Sequence, residues 1–161
     1  MGLLFSFVLA YILIYTILSG ILKMYSFSYF YLNTYELLNQ KFNLTLIKFL
    51  SILLIFSEIF IPLTIILARK PPVWSMTLLV FVYFFFTIFV ITLIFMGKKN
   101  QECSCFGPNI KNNINWSKVS INILILVFIS FSIRFEITLH VWDIIIASLL
   151  SIIYIYIKNN A

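Results

Sequence analysis

Long apolar runs separated by short polar clusters set the pattern of this chain. A helix of about 20 apolar residues crosses the hydrocarbon core of a bilayer. Five runs approach or reach that length: Leu3–Leu22, Leu46–Ala68, Val73–Met96, Trp116–Ile133 and Val141–Ile157. Gly20 and Lys23 close the first run. Arg69-Lys70-Pro71-Pro72 stops the second, because two prolines cannot continue a helix without losing hydrogen bonds. Arg134 to His140 is a short break, and Lys158-Asn159-Asn160 ends the last run. Met24 to Asn43 reads differently. Tyr25, Phe27, Tyr29, Phe30, Tyr31 and Tyr35 alternate with Ser, Asn, Glu36 and Lys41, which is too polar to cross. Its tyrosines favour the membrane–water boundary, with a helix from about Leu32 to Gln40. In lipid, helices satisfy the backbone of an open chain. The pattern therefore predicts an all-α, polytopic transmembrane helix bundle in one domain over residues 1–161, with four core helices plus a fifth.

Composition supports this. Of the 161 residues, 63% are hydrophobic and 10% charged, against about 25% charged in a soluble domain. The net charge of +6 is spread over the ends of the apolar runs, as interfacial anchors are. No basic run resembles a nucleic-acid patch, so no nucleic-acid partner is expected. The first run lacks a basic leader region and a small-residue cleavage site, and reads as an uncleaved span. Met1-Gly2-Leu3-Leu4-Phe5-Ser6 fits the acylation pattern, but a chain held by several helices gains nothing from an acyl group.

The chemistry concentrates in the loop from Gly97 to Asn115. The only two cysteines, Cys103 and Cys105, stand there two residues apart in Cys103-Ser104-Cys105-Phe106-Gly107. Gly-Pro and Pro-Asn steps at Gly107-Pro108-Asn109 mark turns, so the pair is not inside a regular helix. A disulfide at this spacing closes a very small, strained ring, which suits exchange better than stapling. Lys98 and Lys99 favour the reactive thiolate, and the adjacent Glu102 opposes it. Inert loop cysteines are the bland alternative. A soft ion such as Cu(I) is a third, but no second thiol pair or histidine cluster completes a metal site, and His140 is the only histidine.

Glu58, near the middle of the second run, is the other feature. An ionised carboxylate at that depth costs at least a few kcal/mol. It is expected between helices, either as a proton relay or as a structural group, hydrogen-bonded inside the bundle or paired with Lys23. Pro62, four residues on, frees the carbonyl of Glu58. Asn122 and Asp143 read as interhelical hydrogen-bonding residues. The aromatic run Phe84-Phe85-Phe86 reads as lipid-facing or packing.

A third span followed by Gly97-Lys98 and then Cys103-Ser104-Cys105-Phe106-Gly107 resembles the Cys-Gly-Cys-Phe-Gly signature of the MauE branch of the MauE/DoxX membrane proteins. Ser19-Gly20-Ile21-Leu22-Lys23 is similar to the end of that family's first helix, and Glu58 to the acidic residue of its second. The resemblance covers about residues 8–125. The chain departs from it in Ser104 for Gly, and in a proline after the acid rather than before it. What the resemblance implies is a redox-associated protein of the bacterial cytoplasmic membrane. Cys103 and Cys105 would exchange thiols and disulfides, and Glu58, Lys23, Phe106 and Gly107 would support them. The family is linked to maturation of the disulfide-rich small subunit of methylamine dehydrogenase, in methylamine utilisation. An exported protein or peptide substrate and a thioredoxin-like partner are therefore implied, with a quinone as the one cofactor to consider. The competing reading is a non-enzymatic membrane accessory or immunity protein whose cysteines only shape a loop.

Orientation sets two arguments against each other. Lys23, Lys41, Lys48, Lys98, Lys99, Lys111, Lys118 and Lys158 share one side, and Arg69, Lys70 and Arg134 the other. The positive-inside rule then puts the cysteine loop in the cytoplasm. Persistent disulfide chemistry belongs on the oxidising side, and the tight turn at Arg69-Lys70 resembles the family's basic cytoplasmic turn. The expectation adopted is an extracytoplasmic loop.

Overall fold

The computed structural model describes residues 2–68, 71–101, 113–135 and 139–160. The segment Cys103–Gly107 and the pair Arg69-Lys70 lie outside the described residues. The apolar runs become helices. They are α1 (Gly2–Tyr25), α2 (Phe27–Leu37), α3 (Leu44–Leu67), α4 (Val73–Phe95), α5 (Trp116–Arg134) and α6 (Val141–Asn160). No strand occurs among the described residues. The chain is an all-α, multi-pass membrane bundle. α1, α3, α4 and α5 are long and apolar enough to cross a membrane, and α6 carries a shorter apolar stretch, Val141–Ile157.

The helix ends follow local chemistry. The Asn43 side chain accepts from the Thr45 N–H at 2.9 Å, which starts α3 two residues before the expected Leu46. Pro72 precedes α4 with an extended backbone, a conformation its ring permits. Asn115 caps α5 by accepting from the Lys118 N–H at 3.1 Å. α4 ends in a Schellman turn: Gly97 takes φ +78°, its N–H bonds the Ile94 carbonyl, and the Lys98 N–H reaches back to Leu93.

The interfacial helix starts earlier than the expected Leu32. Only Ser26 interrupts α1 and α2, and the bonds Ser26 N–H to Leu22 and Phe30 N–H to Ser26 carry the ladder across. It also stops short of Gln40, because Asn39 and Gln40 take left-handed φ values of 54° and 57°.

Sequence spacing decides which faces are buried. On α3 the buried residues Ile47, Ser51, Ile55, Glu58, Pro62 and Ile65 recur every three or four positions, and Phe49, Leu53, Phe56 and Phe60 face outward. Pro62 sits inside α3 without ending it. α1 is the most enclosed helix. It packs chiefly on α3 and α6, with lesser contacts to α5 and α2, and α4 pairs with α5. Gly20 makes the close approach to α3. A Cβ there would stand 2.8 Å from Ile59 Cγ1 and 3.2 Å from Glu58 Cβ. α6 runs parallel to α1, from Asp143, which accepts from Ser6 Oγ at 2.6 Å, to Tyr154 beside the Tyr15 ring.

Candidate functional site

Two features meet at the end of the bundle where α1 and α4 finish and α5 begins. The first is the base of the cysteine loop. The Asn100 N–H donates to the Ile114 carbonyl at 2.8 Å, and the Ile114 N–H donates to the Gln101 carbonyl at 2.9 Å. The Ile114 side chain is fully buried with Leu37, Val90, Leu93 and Val119. These contacts hold the two flanks of the loop together at its root. Cys103, Cys105, Phe106 and Gly107, expected to form and support the exchange site, lie outside the described residues. His140 is exposed at the start of α6, at the opposite end of α5 from these flanks.

The second feature is a buried ion pair. The Lys23 ammonium donates to Glu58 Oε1. Lys23 is 1% exposed and Glu58 7%. The placement follows from helix geometry: Gly20 lets α3 approach α1, and the lysine side chain slants back towards the N-terminus of α1, onto the acid. The ammonium also lies 5.5 Å from the ring centre of Phe30 and 5.6 Å from that of Phe86. A desolvated cation held over two aromatic faces gains on the order of 1–2 kcal/mol from each. A carboxylate from α3 and rings from α2 and α4 thus enclose the Lys23 charge. Glu58 is found paired with Lys23, and the acid faces the bundle interior.

Beside the pair lies a cavity of about 170 Å³, walled by α1, α3, α4, α5 and α6. At its inner end Thr16 donates to the Ile12 carbonyl at 2.7 Å. The single hydroxyl proton of Thr16 is thereby used, so the Tyr83 hydroxyl donates to Thr16 Oγ1, also at 2.7 Å. Asn122 reaches the cavity from α5 and Tyr154 from α6. Two buried side-chain atoms on this wall have no hydrogen-bond partner among the described residues: Glu58 Oε2 and Asn122 Nδ2. Asp143 is an interhelical hydrogen-bonding residue, as its position suggested, whereas the Asn122 amide nitrogen is left open.

Sequence reasoning missed several members of this site. Phe86 was grouped with its exposed neighbours Phe84 and Phe85. Phe30 looked like one interfacial aromatic among many, and Thr16 and Tyr83 passed as ordinary span residues. Seven residues separate Lys23 from Phe30, two helical turns; once Lys23 is placed inside the bundle, that spacing points to the ring.

No curated protein and no solved structure shows significant similarity to the chain. A family model does match, described as Methylamine utilisation protein MauE, over residues 1–135. That stretch takes in α1 to α5, the ion pair and the whole cysteine segment. With most of its length matched, the chain belongs to the MauE family.

Proposed function

We propose that this protein exchanges thiols and disulfides through Cys103 and Cys105 to mature an exported protein or peptide. The observation that carries the reading is the Cys103-Ser104-Cys105-Phe106-Gly107 string, the chain's only cysteines, inside the segment matched to the MauE family. The root of the loop supports it. Backbone bonds at Asn100, Gln101 and Ile114 join the two flanks, so opening and closing the pair would not undo the root of the loop.

In the oxidised state a substrate thiolate attacks one sulfur of the pair. The Cys103–Cys105 bond breaks, a mixed disulfide forms, and the displaced sulfur takes a proton. A second substrate thiolate attacks the mixed disulfide and leaves as substrate disulfide, with the pair now a dithiol. Restoring the pair would require an acceptor of two electrons and two protons, such as a quinone or the disulfide of a thioredoxin-like protein. The loop faces the extracytoplasmic side of a bacterial cytoplasmic membrane, where such a bond persists. Methylamine utilisation is the setting named by the family; the substrate here is defined only as a protein or peptide with thiols to pair.

Alkylation with a mass tag, before and after reductant, tests the reading in cells. A tag shift that appears only after reduction, and shrinks when oxidant is withheld, is the expected result. Two freely labelled thiols under every condition, oxidant challenge included, would leave a non-enzymatic accessory protein with structural loop cysteines.

A further inference from the structure

The cavity beside the ion pair has a size, a wall and two open hydrogen-bonding atoms that together specify a ligand class. Its volume is about 170 Å³. An apolar cavity of about 150 Å³ is enough to hold benzene. The wall is mostly carbon, with the rings of Tyr15, Tyr83, Phe86 and Tyr154 and the aliphatic Val82, Ile121 and Ile125. Flat rings pack well against such walls.

The polar demand is equally definite. Glu58 is 7% exposed and Asn122 8%, and both line the cavity. Glu58 Oε2 is an acceptor in need of a donor, and Asn122 Nδ2 is a donor in need of an acceptor. A buried polar atom left unpaired is costly, and side chains that leave two such atoms on one cavity are expected to meet them with something bound. A hydroxyl both donates and accepts, so one functional group answers both atoms. A purely apolar ring answers neither, and a carbonyl answers only Asn122. An ionised carboxylate has no proton to donate and would leave Glu58 Oε2 unmet.

We infer that this cavity is a binding site for a small uncharged aromatic molecule bearing at least one hydroxyl, of the phenol class. The hydroxyl donates to Glu58 Oε2 and accepts from Asn122 Nδ2, and the ring lies among the aromatic side chains. The site is built on α1, α3, α4, α5 and α6 and does not depend on thiol exchange. It also gives the second carboxylate oxygen of the ion pair a use that its structural role leaves open.

The test uses full-length protein in lipid nanodiscs, titrated calorimetrically with p-cresol, with empty nanodiscs subtracted. The comparison probe is p-xylene, in which a methyl replaces the hydroxyl. The expected result is saturable one-to-one binding of p-cresol, with p-xylene at least tenfold weaker. Asn122→Leu fills the cavity and leaves the ion pair intact, and should abolish p-cresol binding without lowering the melting temperature. The double variant Cys103→Ser, Cys105→Ser should bind p-cresol like the parent, so the fate of the cysteine chemistry is read separately. Absence of saturable p-cresol binding would mean a cavity that holds water alone. Equal affinity for p-xylene would mean a greasy gap without hydroxyl recognition. Undiminished binding in Asn122→Leu would place the ligand elsewhere. Each of these three results overturns the inference.

Discussion

Removing one member of the Lys23–Glu58 pair leaves the other charged and desolvated, and that loss can be sized. Lys23 is 1% exposed and Glu58 7%, so neither has water to fall back on. Breaking a buried pair by removing one partner costs about 3–5 kcal/mol, whereas replacing both with apolar groups of similar volume is often neutral or stabilising by about 1–4 kcal/mol. Lys23→Met deletes the ammonium but keeps an apolar side chain between Phe30 and Phe86, where sulfur–ring contacts return roughly 0.3–1.5 kcal/mol. The loss should therefore lie near the lower end, about 3 kcal/mol. Glu58→Leu strands the ammonium and should lose about 4–5 kcal/mol by the same reasoning. The double variant should come within about 1 kcal/mol of the parent, or exceed it. The assay is reversible unfolding by SDS in mixed micelles, followed by the fluorescence of Trp74, Trp116 and Trp142, all partly or well exposed. These values imply a coupling of about 6 kcal/mol or more across the cycle. Single variants that each lose under about 1 kcal/mol, or a double variant that loses the sum of the two, would refute the claim that the charges depend on each other. Glu58→Gln adds a functional arm: unchanged thiol exchange in a folded Glu58→Gln protein would remove any proton-relay role.

Gly20→Val should lower stability by about 1–3 kcal/mol, read as a fall in melting temperature in detergent, since even a Cβ meets Ile59 Cγ1 at 2.8 Å. Gly97→Ala should lose about 1 kcal/mol, because its φ of +78° closes the α4 turn and nothing crowds the position. Tyr83→Phe should lose about 0.5–1.5 kcal/mol through the lost donation to Thr16, measured in the same SDS titration. A membrane-impermeant maleimide added to intact, reduced cells should label Cys103 or Cys105. Labelling only after permeabilisation would put the loop in the cytoplasm and remove oxidative maturation with it.

Much of the architecture was legible because bilayer thickness makes run length informative. The third span, expected at Val73–Met96, is α4 at Val73–Phe95. Asn43 and Asn115 sharpened the starts of α3 and α5 through their caps, a signal shorter than the hydropathy pattern. The central position of α1 was not legible: its length and hydropathy resemble those of the other spans, and neither shows how many neighbours a helix has. Nor was the start of α2, since a break of one residue at Ser26 is smaller than any composition change that could reveal it. In the site, Glu58 stood out because a carboxylate in a span is rare, and Lys23 followed as its counter-charge. Phe86 and Tyr83 did not, because among 18 phenylalanines and nine tyrosines a single ring carries no contrast. Only the fold separates the ring that faces an ammonium from those that face lipid.

The charges of Lys23 and Glu58 also bear on how the chain enters a membrane. α1 is synthesised first, with an ammonium near its trailing end, where it can remain at the interface in contact with water. α3 follows with Glu58 near its middle, where no such refuge exists, and a carboxylate at the centre of a lone helix carries an insertion cost of about 2.5–3.5 kcal/mol. Gly20 leaves room for α3 to pack closely on α1 once it has left the insertion machinery. The pair then becomes a checkpoint in biogenesis: α1 acts as a chaperone for α3, and a nascent chain without Lys23 presents quality control with an orphaned, poorly inserted second span. In a cell such a variant is expected to accumulate to a lower level than the parent, through degradation during synthesis.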